Sequence, residues 1–263
     1  MLGDTDDSSY GGETYEAEAF ERLAAIEARS FWFRSRNALI MWLIQRWCGE
    51  AENFLEVGCG TGFVLSGIRS AHPGIELVGV EPYDEGVAVA RRRLPEVSIH
   101  GVEAQSMAFE QEFDAAGSFD VLEHIPDDGA ALAGIRRALK PGGTLLIAVP
   151  QHAWLWSAAD DYAHHQRRYS RSDLIKKVEV AGFEVLDAGS FMSLTLPFMV
   201  ASRLAYRVRP ARRSDPLGDL ELPGPLNAGL VALLGAERAL IRLGVRFPAG
   251  GSLYLVARRP ERG

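Results

Sequence analysis

From Asn53 onward the sequence alternates short apolar runs with helical stretches, and no other feature constrains the fold as much. The runs are Phe54 to Val57, Leu77 to Val80, Val97 to Ile99, Ala115 to Phe119 and Thr144 to Val149. Parallel neighbours need long crossover connections, and a helix is the usual crossover. The helices begin near Gly62, Asp84, Met107, Asp127 and Arg171, and Pro141-Gly142-Gly143 stops one just before a strand. Phe183 to Leu186 reads as a sixth strand. Ser252 to Arg258 reads as a seventh, antiparallel if the chain finishes as a hairpin pair. The expected fold is α/β: a Rossmann-like, seven-stranded, mostly parallel sheet with helices on both faces and the last strand antiparallel.

The rest of the chain divides around that sheet. Residues 1–14 are rich in Asp, Ser, Gly and Thr and read as a flexible tail, because they have little to bury. Residues 15–50 form an N-terminal helical cap of two helices, with Phe20, Leu23 and Ile26 on one face of the first. Leu39, Leu43, Ile44 and Trp47 share a face of the second. Residues 51–190 are the core and 251–263 the final strand and tail. Residues 191–250 are a helical insertion, too long for a hairpin loop. It holds the apolar piece Phe191 to Ala201, five arginines from Arg203 to Arg213, and a helix from Leu226 to Leu243. The stripe Leu226, Leu230, Leu233, Leu234, Leu240 and Ile241 on that helix suits a lid, a homodimer contact or packing on the sheet.

A net charge of −7 argues against a protein that neutralises many phosphates on a nucleic acid, so a small-molecule partner is expected. Two cysteines, Cys48 and Cys59, make no disulfide framework, and no export signal opens the sequence, so the cytoplasm is the expected location. No apolar run reaches the roughly 18 residues needed to span a bilayer. The apolar piece and the arginines beside it leave peripheral contact with an anionic membrane open.

The first strand runs into Glu56-Val57-Gly58-Cys59-Gly60-Thr61-Gly62. A strand-to-helix turn that brings backbone against a ligand needs residues free of side chains and able to take positive φ. A dinucleotide loop would place its third glycine three residues after the second, where Phe63 stands. The spacing therefore disfavours a pyrophosphate and a nicotinamide-dependent oxidoreductase. The next strand ends in Glu81, whose carboxylate could accept bonds from both hydroxyls of a ribose.

These residues, with Phe113 to Ile125 and Pro141-Gly142-Gly143, resemble class I S-adenosylmethionine-dependent methyltransferases over roughly Asn53 to Leu186. The resemblance implies S-adenosyl-L-methionine as cofactor. Glu56 and the backbone at Gly58, Cys59 and Gly60 would hold its methionine end, with Glu81 and Pro82 at the ribose. Glu103 and Ala104 would lie at the adenine, and Phe119, Asp120 and Val121 at the floor of the pocket. Arg34, from the cap, would reach the carboxylate.

Asp120-Val121-Leu122-Glu123-His124 resembles a segment of ubiquinone-pathway O-methyltransferases in which acids and a histidine are associated with a divalent cation. Asp120 departs from that pattern, and no metal is expected. Methyl transfer is an in-line displacement that asks for alignment, exclusion of water and removal of a proton. His124, His152 and His164 are the candidate bases, and Tyr169 and Trp156 the candidate acceptor contacts. The stretch from Asp160 to Tyr169 is similar to a D-x-x-x-H-x-x-R-Y pattern that recurs in relatives of this group. The expected activity is methylation of a small molecule, oxygen being preferred. N-methylation, a lipid-linked acceptor at a membrane, and a non-catalytic donor-binding protein are the alternatives.

Overall fold

Strand β1 (Asn53–Val57) alternates its side chains between two apolar layers. Phe54 joins one with Leu43, Leu65 and Ile68, and Leu55 joins the other with Leu132, Ile135 and Leu174. Both faces are covered, so β1 reads as a nearly continuous apolar run rather than an alternating one. Around it lie β2 (Glu76–Val80), β3 (Ser98–His100), β4 (Phe113–Phe119), β5 (Leu139–Pro150), β6 (Glu184–Phe191) and β7 (Ser252–Arg258), in the order β3-β2-β1-β4-β5-β7-β6. The first five pair in parallel, and β7 runs antiparallel between β5 and β6. The strand order reverses between β1 and β4, so the crevice for a ligand opens at their C-terminal ends.

The computed structural model describes residues 17–208 and 221–261. The expected tail at 1–14, and Arg209, Arg212 and Arg213 of the basic run, lie outside the described residues.

Helices α1 (Ala17–Glu27) and α2 (Phe31–Trp47) form the cap, and α3 (Phe63–Ala71) leaves the glycine loop through Gly62, whose φ is +74°. Helix α4 (Asp84–Arg93) opens on Asp84 and Glu85 and closes on Arg91, Arg92 and Arg93, a distribution that opposes its own dipole at both ends. Asp127 caps α5 (Asp128–Ala138) by accepting the Ala130 N–H. Ser170 caps α7 (Arg171–Val180) by accepting that of Asp173.

Two boundaries differ from the sequence reading. No helix begins near Met107: a 3₁₀ turn at Ala104–Ser106 ends there, and Met107 is buried in the layer under α5. Pro141-Gly142-Gly143 does not end the helix, because α5 stops at Ala138 and the triplet lies within β5 as an irregularity. Phe113 pairs with Leu139 and Ala115 with Thr144, and Gly142 takes φ +81° at the turn.

The insertion contains α8 (Leu196–Val208) and α9 (Gly224–Arg242), with the short α6 (Ala158–Tyr162) preceding α7. Of the expected stripe on α9, Leu234 and Ile241 are buried in the layer containing α2, while Leu226 and Leu240 are exposed. Glu237 completes the inward face, and its carboxylate accepts the N–H groups of Ser193 and Leu194 at 3.0 and 2.9 Å. Asn227 accepts the Phe31 N–H and donates to the Arg29 carbonyl, so α9 is fastened to the junction of α1 and α2.

Candidate active site

The glycine loop turns back on the end of β2. The amides of Gly58 and Cys59 both donate to the Val80 carbonyl, and Gly58, Gly60 and Gly62 all take positive φ. A Cβ at Gly58 would stand 2.4 Å from a methyl of Val121, so absence of a side chain is required there by position as well as by φ. The loop thereby meets the end of β4, on the opposite side of the crevice.

Two buried carboxylates flank this turn. Glu81 accepts the Gly60 amide at 2.9 Å and the Tyr83 amide at 3.2 Å, and burial pushes it up to about 7 against those two bonds. Burial pushes Glu56 up to about 8, opposed by the positive charge of Arg36 and a backbone bond from Leu65. Its Oε2 has no protein partner among the described residues. A third acid, Glu27 of α1, is bonded to Thr61 and Arg93. A loop lined with buried carboxylates, one holding an unused oxygen, suits a ligand bearing positive charge and hydroxyl donors.

At the end of β4, Asp120 takes φ +55° and is paired with Arg36, whose guanidinium also lies over the Trp32 ring at 4.7 Å. Arg36 is buried, whereas Arg34, the arginine expected to reach the cofactor, is exposed on α2. Helical spacing contained that signal: Arg36 lies three and seven residues before the buried Leu39 and Leu43, and Arg34 does not share their face.

The adenine-side expectations divide. Ala104 is buried and its carbonyl closely faces Gly134 of α5, while Glu103 is exposed and accepts from the Gln105 side chain. Pro82 is exposed and Cys59 is buried. Phe119 and Val121 stand on either side of Asp120, with Phe119 buried.

The acceptor-side residues are arranged differently from the sequence expectation. Glu123 is fully buried and neither carboxyl oxygen has a protein partner among the described residues. Burial, reinforced by the charge of Asp120, holds its carboxyl well above the usual range. Burial and the neighbouring His165 pull His124 down to about 4. His164 is exposed with φ +52°, and the neighbouring His165 instead turns inward, its ring 4.7 Å from that of His124. The recurrent pattern already indicated this register, since Asp161, His165, Arg168 and Tyr169 satisfy it and His164 does not.

His165 Nδ1 lies 2.8 Å from Asp160 Oδ1. Asp160 is also gripped by Arg168 through both carboxylate oxygens, at 2.7 and 3.0 Å, and receives Ser157 N–H and O–H on Oδ2. Against the upward pull of burial, the bonds from His165 and Arg168 hold Asp160 well below the usual carboxylate range. Glu123, His124 and His165 bring one oxygen and two ring nitrogens within 4.8 Å of one another. Asp120, the remaining polar residue of that segment, is paired with Arg36.

Tyr169 does not face the acceptor. It is buried, and its one hydroxyl hydrogen lies between Asp128 Oδ2 at 2.8 Å and the Leu122 carbonyl at 3.1 Å, fastening the segment before α7 to the β4 loop and the start of α5. Its backbone bonds to Pro150 and His152 zip the same segment to the end of β5. His152 takes φ +64° and stacks on Trp154 at 5.2 Å, and its Nε2 lacks a protein partner among the described residues. Trp156 is partly exposed and donates its indole N–H to Asp161.

Comparison with known proteins agrees with this geometry. The methyltransferase domain family matches residues 18–188, which takes in the cap, the glycine loop and the sheet as far as β6. The chain belongs to that family. A probable S-adenosylmethionine-dependent methyltransferase of Mycolicibacterium smegmatis is 31% identical over 169 residues, covering 63% of this chain and 64% of the relative. A ubiquinone biosynthesis O-methyltransferase of Alkalilimnicola ehrlichii is 31% identical over 105 residues, 38% of this chain and 42% of that protein. The chain thus spans less than two thirds of the length of these curated relatives. Among solved structures, the [4+2]-cyclase SpnF superposes with a TM-score of 0.58 at 25% identity, over 85% of this chain and 81% of that one. A phosphoethanolamine N-methyltransferase of Haemonchus contortus, solved with S-adenosyl-L-methionine, gives a TM-score of 0.62 at 19% identity, over 94% and 58%, and speaks for the fold alone.

Proposed function

We propose that this chain transfers the methyl group of S-adenosyl-L-methionine to a hydroxyl of a small molecule. The observation that carries the donor half is the pairing of the glycine loop with Glu81: a carboxylate anchored by the Gly60 amide of the loop and by the Tyr83 amide stands at the end of β2, on the side of the sheet where the strand order reverses. Glu56 and the amides of the loop would hold the amino-acid end, Glu81 the ribose, and Ala104 the adenine through its backbone. When bound, the donor supplies an electrophilic methyl on a sulfonium. The protein's own part is to hold it beside the β4 loop, exclude water and take up the proton that the acceptor releases.

The preference for oxygen is supported by O-methyltransferases among the relatives and by the imidazole rings of His124 and His165 packed together at the β4 loop, a residue type able to receive a hydroxyl proton. Incubation with donor labelled in the methyl group, together with pools of candidate metabolites, tests the reading by the mass and bonding of the labelled product. Products labelled at nitrogen overturn the preference for oxygen. Donor binding without any labelled product supports a binding protein instead, because this scaffold hosts more than one chemistry.

A lipid-linked acceptor is the second reading, favoured by apolar side chains exposed at one edge of the site. Phe198 and Leu204 of α8 are 66% and 57% exposed, and Trp154, in the turn against which α8 packs, is 54% exposed. Among the described residues no helix is long and apolar enough to cross a membrane, so this reading concerns docking at a surface. Flotation with anionic liposomes at physiological salt tests it, and folded protein that stays out of the lipid fraction rules it out.

A further inference from the structure

We propose that His165 is the base that takes the acceptor's proton, with Asp160 as the carboxylate that positions it. The inference rests on the methyl-transfer reading and assigns its proton-transfer step to a histidine outside the sequence-derived set.

The carboxylate fixes the ring. Asp160 is buried, and its two oxygens receive bonds from Arg168, from both polar groups of Ser157, and from His165 Nδ1 at 2.8 Å. An ionised carboxylate can only accept, so the hydrogen of the neutral imidazole resides on Nδ1 and the lone pair on Nε2. The same bond stabilises the imidazolium formed when Nε2 gains a proton, which is how a buried carboxylate assists a histidine base.

The ring is also in place. Glu123 and His124 lie in the loop that leaves β4, and the Glu123 carbonyl accepts the Gln166 N–H at 2.7 Å, pinning the residue after His165 to that loop. Trp156 stands 6.5 Å from the His165 ring, and the His165 side chain keeps 14% of its surface exposed, against 1% for Asp160.

The other histidines lack this arrangement. His124 is held neutral by burial, His164 is exposed, and His152 stacks on Trp154 with no carboxylate bonded to it among the described contacts. The charged and titratable groups facing His165 are Asp160 on α6, Arg168 on its own segment, and Glu123 and His124 on the β4 loop.

In the step itself, the acceptor O–H gives its proton to His165 Nε2, and an oxygen lone pair forms the new C–O bond. The electron pair of the breaking C–S bond passes to sulfur, which becomes a neutral thioether. The imidazolium, balanced by Asp160, then returns its proton to solvent.

Two measurements on the full chain test this. Long-range proton–nitrogen NMR of the wild type with S-adenosylhomocysteine is expected to show His165 with Nδ1 protonated and Nε2 bare at high pH. The opposite tautomer overturns the proposal, and this readout needs no variant. With an acceptor found by the labelled-donor screen, His165→Gln is expected to lower kcat about 100-fold and leave S-adenosylhomocysteine affinity within about twofold. Its residual rate should continue to climb with pH after the wild-type rate has levelled, and added imidazole should restore part of it. His164→Ala should retain the wild-type rate. A His165→Gln enzyme with unchanged kcat and pH profile sinks the assignment and leaves methyl transfer standing. So does a wild-type rate abolished by chelation and restored by Mg²⁺ alone, which would assign proton release to a cation. Absence of any labelled product despite donor binding is the failure of the methyl-transfer reading, and His165 falls with it.

Discussion

Thr61, between the last two glycines of the loop, donates its hydroxyl hydrogen to Glu27 Oε1 at 2.6 Å, tying the loop to the last turn of α1. Arg93 of α4 closes the triangle, bonding Thr61 Oγ1 and Glu27 Oε2 at 2.8 Å each. The cap is therefore fastened to the backbone that would carry the donor. Glu27→Ala leaves a mostly buried guanidinium without its counter-charge and is expected to cost about 3 kcal/mol of stability. Hydrogen exchange across α1 should quicken, and S-adenosylhomocysteine affinity measured by calorimetry should fall about tenfold. Wild-type affinity in this variant would show that the cap and the loop act separately.

The pH dependence of donor binding follows from Glu56 and Glu81. Burial raises their folded-state values from the ordinary 4.5 to about 8 and about 7, so the ligand-free folded chain binds more protons than the unfolded chain in that window. Their contribution to stability is then greatest at low pH and declines as pH rises from the unfolded to the folded value. A ligand that bonds the ionised carboxylates reverses the trend by favouring loss of those protons. Titration calorimetry is expected to show S-adenosylhomocysteine binding tightening between about pH 6 and pH 8, with proton release into the buffer. Glu81→Gln should flatten part of that slope.

Gly58→Ala places a methyl against Val121 at a position with φ +72°. Backbone strain and overpacking each cost on the order of 1–2 kcal/mol. A lower melting temperature and weakened donor binding are expected together. Adding Val121→Ala should recover the part due to the clash and leave the part due to φ.

Arg36→Ala and Arg34→Ala should separate sharply. Arg36 neutralises Asp120 beside two further acids, Glu56 and Glu123, whereas Arg34 is exposed. The first substitution is expected to lower stability by about 3 kcal/mol and to weaken donor binding. The second should change both by less than about 0.5 kcal/mol. Equal effects in the two variants would return the role to Arg34.

Tyr169→Phe removes the buried hydroxyl whose hydrogen is shared between Asp128 and the Leu122 carbonyl. The expected cost is about 1–3 kcal/mol of stability, read by denaturant unfolding, with KM for the acceptor unchanged. A raised KM at full stability would restore the acceptor contact first expected of this residue.

The architecture was legible in the sequence because it depends on period and punctuation. Alternating apolar runs and helical stretches marked the strands and the parallel sheet. Glycines at 58, 60 and 62 followed by Glu81 marked the donor side, since a turn that must take positive φ admits few residue types. The helix misplaced near Met107 shows the limit of local pattern: Met107 is apolar because α5 covers it, and burial alone does not require a helix. Pattern and spacing carried a signal for His165 and Arg36, and tertiary contacts decided which partners hold them. Asp160, held by Arg168 and Ser157, selects His165 over its neighbour, and the apolar face of α2 carries Arg36 rather than Arg34 into the crevice. A sequence sets which side chains are near one another along the chain. Only the packed fold sets which distant side chains meet, because Arg36 and Asp120 are brought together by different elements.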